Sequence, residues 1–220
     1  MLRAAALLIA AALLSPCASA LSACRAAVLD ADTGEVCFAR NASEHALIAS
    51  TTKIMTGLLI AEDCDPDAVV TVPQEAVGIE GSSLYLKAGE QLTVRALLYG
   101  LLLHSGNDAA VALALAHSGS VGAFVEAMNE KAAELGCENT HFVNTTGLHD
   151  SQHYTSAWDL YLITAEALKH DDFLRICDMK SATIPATNLS EERVLHSTNY
   201  LISNWRALGY LDSRAHGVKT

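Results

Sequence analysis

Residues 48–61 constrain the fold more strongly than any other part of the sequence. A helix over this segment is apolar on almost every side, so it must run through a core rather than along a surface (Ile54, Met55, Leu58, Leu59 and Ile60). Its first turn nevertheless carries Ser50 and Lys53, which stand three residues apart and therefore share one helical face. The pattern predicts a buried helix that begins at or near Ser50 and places a hydroxyl group beside an amine.

The pair of Ser50 and Lys53 has two interpretations. A serine hydroxyl becomes a nucleophile when a base takes its proton, and a neutral lysine amine can be that base. A lysine in water has a pKa near 10.4, so bringing the pKa to about 7 takes roughly 4 kcal/mol from burial or from a nearby cation. In the other interpretation Ser50 is a helix N-cap and Lys53 a solvated first-turn residue, because Ser-x-x-Lys is a common tetrapeptide. The rest of the chain has to decide between them.

Composition excludes several classes of partner. The chain has 220 residues, of which 51% are hydrophobic and 18% charged, so it can bury a sizeable core. The formal net charge is −11, and lysine and arginine nowhere form a cluster. We therefore expect neither nucleic acid nor an anionic membrane surface as a partner.

The first 20 residues have the pattern of an export signal. Arg3 precedes an apolar run over residues 4–14, and small residues at 18–20 form a cleavage site. The apolar run is too short to span a bilayer, which takes about 20 residues. An alternative start of the mature chain is Cys24, because residues 21–24 resemble a lipoprotein cleavage box. The pattern predicts a signal peptide at 1–20 followed by one domain at 21–220.

Cysteines and histidines give no sign of a metal or disulfide framework. After cleavage five cysteines remain, an odd number without Cys-x-x-Cys spacing (Cys24, Cys37, Cys64, Cys137 and Cys177). His149 and His153 are four residues apart, but they lie in a turn-rich stretch without a helix to align them. We expect neither a metal nor another cofactor.

The order of predicted elements indicates an α+β protein. A hairpin at 26–30 and 35–40 opens the domain, and strands follow the Ser50 helix at 69–72 and 81–87. Helices are predicted at 94–103, 107–116, 121–135 and 156–168, and a late strand near 182–187. We expect a sheet-bearing part and an all-helical part, with the Ser50 helix at their junction.

Two further motifs lie where the predicted elements end. Ser105-Gly106-Asn107 separates two helices, and Lys219-Thr220 closes a segment, 216–220, that has the pattern of a strand leaving a glycine. Each motif alone also fits a structural role, a helix cap for the first and an exposed pair for the second. The order Ser-x-x-Lys, Ser-x-Asn, Lys-Thr is much less probable by chance than any one of its members.

With these motifs the chain resembles a low-molecular-mass penicillin-binding protein of the serine-type D-alanyl-D-alanine carboxypeptidase family. The likeness covers essentially the whole mature chain, including residues 27–35, 49–56, 81–86, 144–150 and 154–160. It implies the penicillin-binding, β-lactamase-like transpeptidase fold, an antiparallel sheet flanked by helices with an inserted all-helical subdomain. It also implies an exported enzyme at the cell wall or at the outer face of the cytoplasmic membrane.

The resemblance implies a nucleophile, a base and a proton relay. Ser50 would attack the carbonyl of the penultimate D-alanine of a peptidoglycan stem peptide and become acylated, while Lys53 takes its proton. Ser105 would relay a proton to the leaving amine. β-Lactams, which mimic D-Ala-D-Ala, would acylate the same oxygen as covalent inhibitors.

The resemblance also implies a set of substrate contacts. Asn107 would bind the substrate amide or hold Lys53, and Lys219 would lower the pKa of that lysine. Thr220 would donate a hydrogen bond to the terminal carboxylate of the substrate.

The sequence departs from the family pattern in two places. Ile48 stands where proline is usual, and the chain ends at Thr220, before the glycine of Lys-Thr-Gly. Either the remaining strands of the sheet and a second oxyanion-hole donor follow that point, or the protein has lost part of its site. The 220-residue chain alone is therefore expected to aggregate or to acylate slowly.

Two other functions and two membrane attachments stay open as alternatives. One function is a catalytically incomplete protein that binds stem peptides. The other is a class A β-lactamase, which needs a deacylating glutamate, whereas residues 139–159 contain only Asp150 and Asp159 as acids. Membrane association would require an anchor beyond Thr220 or a lipidated Cys24.

Overall fold

The structure, a computed structural model, describes residues 22–203 and 209–219. The chain divides into two compact units, Met1–Ala42 and Ser43–Thr220. In the first unit β1 (Ala26–Leu29) and β2 (Val36–Arg40) form the predicted antiparallel hairpin. The pairing expected between this hairpin and strands that begin at Lys219 and Thr220 stays a prediction, because Thr220 lies outside the described residues.

The second unit combines helices with two small antiparallel ladders, as the predicted α+β class requires. A 3₁₀ turn (Ala49–Thr52) leads into the first helix, and the helices are α1 (Lys53–Asp63), α2 (Val94–Leu102), α3 (Asn107–Ser118), α4 (Val121–Glu134), α5 (Ala157–Ala167) and α6 (Asp171–Cys177). The strands are β3 (Val69–Thr71) with β4 (Gln91–Thr93), and β5 (Ser181–Ile184) with β6 (Arg193–His196).

Helix α1 is the centre of this unit. Residues 53–60 are all buried, and each of the five other helices in the described part of this unit packs against α1. Gly57 permits one of these contacts, because a Cβ there would lie 2.9 Å from the ring of Phe173 on α6. The predicted burial of the Ser50 helix is confirmed, and it leaves Lys53 among the apolar side chains of the core.

Side-chain caps set the helix boundaries where the sequence predicted them. Thr93 Oγ1 accepts a hydrogen bond from Ala96 N at 3.1 Å, and Ser156 Oγ accepts one from Asp159 N at 3.0 Å. Helix α3 ends at Gly119, whose φ of 74° only glycine adopts without strain. Among the described helices none is by itself long and apolar enough to cross a membrane, although the bent pair of α3 and α4 meets the length and composition limits together.

The predicted strand at 81–87 is wrong. The carboxylate of Asp108, in the first turn of α3, accepts hydrogen bonds from Ser83 Oγ at 2.6 Å, Leu84 N at 3.0 Å and Leu86 N at 3.1 Å. These donors converge on one carboxylate, so they do not form a strand ladder, and Tyr85 takes a φ of 57°. Alternating apolar residues at 84 and 86 therefore reflect burial beside α3 and not strand pairing.

The two short strands β4 and β6 were not predicted, and β6 holds the 81–87 segment in place. Arg193 on β6 donates from Nε to Leu84 O at 3.1 Å, and its guanidinium contacts the fully buried carboxylate of Glu90 at 2.8 Å. The strand predicted at 216–220 is also absent over the described residues 216–219. There Gly217 N donates to the carboxylate of Asp178 at 3.2 Å instead of to a neighbouring strand.

Candidate active site

Ser50 and Lys53 meet at the start of α1 as the sequence predicted. The Nζ atom of Lys53 lies 3.3 Å from Oγ of Ser50 and 2.6 Å from the carbonyl oxygen of Thr146. Lys53 is fully buried, whereas Ser50 is only partly buried and so keeps access to solvent. The geometry places a potential base behind a reachable hydroxyl.

Burial gives Lys53 the protonation state that a base needs. Loss of solvation is the larger cause, and the positive charge of Lys219 is the second; together they lower the pKa of Lys53 to about 7. A substantial fraction of this amine is therefore neutral near pH 7. In that form it can donate one N–H to Thr146 O and offer its lone pair to the Ser50 hydroxyl.

The loop 144–148 supplies the partner of Lys53, which the sequence analysis did not identify. Asn144 Oδ1 accepts from Thr146 N at 3.1 Å and from Gly147 N at 2.7 Å, so one side chain folds the loop. Thr56 on α1 anchors the loop by donating from Oγ1 to Thr145 O at 2.8 Å. The Asn-Thr-Thr-Gly block was visible in the sequence, but nothing local indicated that a carbonyl from it meets Lys53.

The peptide that joins Ala49 to Ser50 is held in an uncommon conformation. Ala49 has a φ of 44°, in the left-handed region that residues with a Cβ adopt only at an energetic cost. Gly147 packs directly on this peptide: a Cβ at Gly147 would overlap the carbonyl group of Ala49 and approach Ser50 N to 2.9 Å. Strained backbone beside a candidate nucleophile is typical of functional sites.

Ser105 lies in the turn between α2 and α3, and Asn107 is the first residue of α3; both helices pack against α1. Ser105 is buried and has a φ of 62°. The amide of Asn107 donates from Nδ2 to Glu80 O at 2.6 Å, and its backbone N donates to Ser82 O at 2.7 Å. Within the described part of the chain neither residue makes a hydrogen bond with Ser50 or Lys53, so the structure positions this turn through the 80–86 segment.

Lys219 lies close enough to Lys53 for its charge to act there, but Thr220 is outside the described residues. Burial lowers the pKa of Lys219 itself to about 8. The preceding residues dock on the end of α6, where His216 Nδ1 lies 3.0 Å from a carboxylate oxygen of Asp178. Three of the predicted site residues, Ser50, Lys53 and Lys219, are thus coupled in the structure.

Among residues 22–203 and 209–219, one other group of side chains has metal-ligand atoms close together. Glu62, Glu166 and His170 bring such atoms within 4.8 Å. The carboxylate of Glu62 is 2.9 Å from the ammonium of Lys131, and that of Glu166 is 2.6 Å from the ammonium of Lys169. Because both carboxylates already have cationic partners, we assign no metal to this group.

Comparison with known proteins links this geometry to one family. A family model described as D-alanyl-D-alanine carboxypeptidase, peptidase family S11, matches residues 12–218. The D-alanyl-D-alanine carboxypeptidase DacF of Bacillus subtilis is 42% identical over 155 residues, which is 68% of this chain and 40% of that protein. The D-alanyl-D-alanine carboxypeptidase of Streptomyces sp. strain K15 is 35% identical over 204 residues, 86% of this chain and 68% of that one.

Solved structures agree with the sequence relatives. The R248L mutant of the Streptomyces K15 DD-transpeptidase superposes with a TM-score of 0.81 at 32% identity, covering 91% of this chain and 80% of that chain. The carboxypeptidase DacD from Francisella tularensis gives a TM-score of 0.71 at 32% identity, over 74% of this chain and 41% of that chain. The chain spans about two fifths of the length of several curated relatives that it matches, 40% for DacF of B. subtilis and 43% for DacD of Escherichia coli.

Proposed function

The chain belongs to the D-alanyl-D-alanine carboxypeptidase family, and from this premise we propose that it removes the terminal D-alanine from peptidoglycan stem peptides through an acyl-enzyme on Ser50. The observation that carries the proposal is the fully buried Lys53, whose Nζ lies 3.3 Å from Ser50 Oγ. Few structural roles require a buried lysine next to a partly buried serine, whereas activation of a serine nucleophile does.

The first half-reaction follows from the protonation state of Lys53. Its neutral amine accepts the proton of Ser50 while Oγ bonds to the carbonyl carbon of the penultimate D-alanine. The hydrogen bond to Thr146 O keeps Nζ in place during the transfer. The C–N bond then breaks, the leaving amine receives a proton, and D-alanine departs. Water subsequently attacks the Ser50 ester and releases the shortened peptide.

The remaining site residues have roles that follow from their positions and chemistry. Ser105 passes the proton towards the leaving amine, and Asn107 binds the substrate amide. Lys219 supplies positive charge opposite a substrate that ends in a carboxylate, and Thr220 donates a hydrogen bond to that carboxylate. The lowered pKa of Lys53 supports the assignment of Lys219 to this site.

We place the activity outside the cytoplasm, in keeping with a family of cell-wall enzymes. The finer assignment rests on the sequence alone: residues 1–20 act as a signal peptide, and Cys24 is a lipid-attachment site only if cleavage occurs there. Residues 1–21 lie outside the described part of the chain. β-Lactams are proposed as covalent inhibitors, because their strained amide presents the D-Ala-D-Ala shape to Ser50.

A β-lactam adduct tests the proposal. The protein expressed from its full reading frame should gain the mass of one penicillin molecule by intact-mass spectrometry, and Ser50→Ala should gain none. Ser181→Ala, an exposed serine on β5, is the matched control and should label like the parent. An adduct that survives in Ser50→Ala would refute the assignment of the nucleophile.

Two further measurements separate the proposed function from its alternatives. Release of D-alanine from a peptide ending in D-Ala-D-Ala distinguishes the enzyme from a stem-peptide-binding protein, and slow loss of the adduct distinguishes it from a β-lactamase.

The pH dependence of acylation should respond to Lys219. Removing its charge by Lys219→Gln leaves the burial of Lys53 in place but takes away the second cause of the lowered pKa. The pKa of Lys53 then rises, so the acid limb of the acylation profile moves to higher pH and the rate at pH 7 falls. An NMR titration of the lysine side chains measures the shift directly. Lys169→Gln, at an exposed lysine paired with Glu166, should leave the profile in place; an unchanged profile in Lys219→Gln would remove Lys219 from the site.

A further inference from the structure

His153 is a buried histidine whose hydrogen bonds define its tautomer. Its side chain is nearly inaccessible to solvent, and its Nδ1 accepts a hydrogen bond from Val143 N at 3.1 Å. A nitrogen that accepts carries no proton, so the proton of the neutral ring is on Nε2. Nε2 lies 2.7 Å from Thr52 Oγ1, which therefore accepts from the imidazole.

The neutral form of His153 persists throughout the pH range in which Lys53 titrates. Burial is the main cause that lowers the pKa of His153 to about 4; the charge of Asp150 opposes the change and that of His141 adds to it. The donor on Nε2 and the acceptor on Nδ1 are thus both present near pH 7. The imidazole is a fixed polar contact and not a group that changes charge during turnover.

Thr52 connects the His153 imidazole to the backbone that precedes Ser50. Because its Oγ1 accepts from His153, its own hydroxyl proton is directed elsewhere, and Oγ1 lies 2.8 Å from the carbonyl oxygen of Ala49. The direction of each bond is then determined: Nε2–H donates to Thr52 Oγ1, and Thr52 O–H donates to Ala49 O. The chain of donors ends on the strained residue with a φ of 44°.

The carbonyl of Ala49 and the N–H of Ser50 belong to one planar peptide group and point in opposite directions. A contact that fixes the carbonyl therefore also fixes the direction of the N–H. At the first turn of a helix such an N–H has no acceptor within the helix and is available to a ligand. In serine acyl transfer, a backbone N–H of the nucleophile can stabilise the oxyanion of the tetrahedral intermediate.

We propose that His153 and Thr52 are positioning residues that aim the Ser50 N–H at the oxyanion by holding the Ala49 carbonyl. The proposal rests on the proposed function, since the N–H has this role only if Ser50 is acylated. Gly147 packs on the same peptide, so the peptide is held by a hydrogen bond and by a steric contact. The contact from Thr52 helps to hold Ala49 in the left-handed conformation, which alanine disfavours.

Thr52→Val removes the hydroxyl while keeping the shape of the side chain, and it is the main test. Loss of an oxyanion-hole donor typically lowers a rate by about 10²–10³-fold, and a misdirected donor should lower it by roughly 10–10²-fold. We expect that fall in kcat for a D-Ala-D-Ala peptide and in the rate of penicillin acylation, with KM unchanged within about twofold. Thr52→Ser keeps the hydroxyl and should restore the rate.

A peptide boronic acid separates a positioning role from a merely structural one. Its boron bonds to Ser50 Oγ and places an oxygen where the oxyanion forms, so its affinity should fall in Thr52→Val by about the same factor as kcat. Thr164→Val is the matched control, because Thr164 Oγ1 makes a similar contact to Leu160 O at 2.6 Å on α5. It loses a hydroxyl-to-carbonyl contact of the same kind away from Ser50, so it should keep its rate and its affinity for the boronic acid.

His153→Gln and His153→Phe extend the test to the start of the chain of donors. Glutamine can accept from Val143 N and donate to Thr52, so it should retain most of the rate, whereas phenylalanine should behave like Thr52→Val. If the parent acylates and Thr52→Val acylates equally fast with unchanged affinity for the boronic acid, the positioning role is refuted and the proposed function stands. If the parent fails to acylate, the proposed function fails first.

Discussion

Replacement of Lys53 by arginine is expected to slow acylation of Ser50 by roughly 10³-fold, within the range that general-base catalysis contributes. Arginine keeps the positive charge and a donor for Thr146 O, but its pKa stays above about 12, so it has no lone pair to accept the Ser50 proton. In the parent the pKa of Lys53 is lowered to about 7, which makes the neutral amine available. The rate of penicillin labelling measures the loss, and circular dichroism measures whether the fold is retained.

Two further variants keep this prediction falsifiable. Methionine is similar in length to lysine and has no charge to bury. Lys53→Met should therefore fold even if the larger guanidinium of Lys53→Arg prevents folding, and it should lose the same activity. Lys131→Arg is the matched control, because it makes the same lysine-to-arginine change on α4, at a lysine that pairs with Glu62 of α1. It should be labelled at the parent rate. Near-normal labelling by Lys53→Arg or Lys53→Met would mean that Lys53 has a structural role only.

Lys53 should also leave a signature in the pH dependence of stability. Below about pH 7 the amine is protonated in both the folded and the unfolded chain, whereas from about pH 7 to 10.5 it is neutral only in the folded chain. The unfolded chain then binds more protons, so the contribution of Lys53 to the free energy of unfolding rises with pH across that window. The fall in pKa from 10.5 to about 7 corresponds to on the order of 5 kcal/mol. Lys53→Met should lack this part of the rise.

The parts of the site that depend on local sequence could be predicted, and the parts that depend on distant contacts could not. Three-residue spacing places Ser50 and Lys53 on one face, and the apolar pattern of α1 implies burial of the lysine. The partner of that lysine is the carbonyl of Thr146, 93 residues away, and a backbone carbonyl has no sequence signature.

The error at 81–87 has a similar origin. Alternation of apolar residues indicates that one face of a segment is buried, but it does not reveal whether the backbone donors pair with a strand or with a carboxylate. Here Asp108 accepts from Leu84 N and Leu86 N, at the spacing of two that an edge strand would also present. The conformation of residues 81–87 therefore depends on a single acidic residue in α3. His153 is a similar case, because the sequence analysis considered it only as a metal ligand, whereas its hydrogen bonds are with Val143 N and Thr52 Oγ1.

Substitution of Gly147 by alanine is expected to lower the acylation rate by roughly 10²-fold or more. A Cβ at this position would overlap the carbonyl of Ala49 and lie 2.9 Å from Ser50 N, and these are backbone atoms that cannot rotate away. The peptide before Ser50 must then shift, which moves the nucleophile relative to Lys53. A displacement of about 1 Å at a reacting group can lower a rate by about 10²-fold.

The chain contains a control for the backbone part of this effect. Gly147 has a φ of 85° and Gly136 a φ of 76°, so alanine is strained at both positions by roughly 1–2 kcal/mol. At Gly136, however, a Cβ would have no atom within 4 Å. Gly136→Ala should therefore lose stability in a denaturant titration without losing penicillin labelling, while Gly147→Ala loses both. Equal labelling by the two variants would show that the loop 144–148 can move away from Ala49 without disturbing Ser50. It would refute the claim that the packing of Gly147 holds the peptide before Ser50 in place.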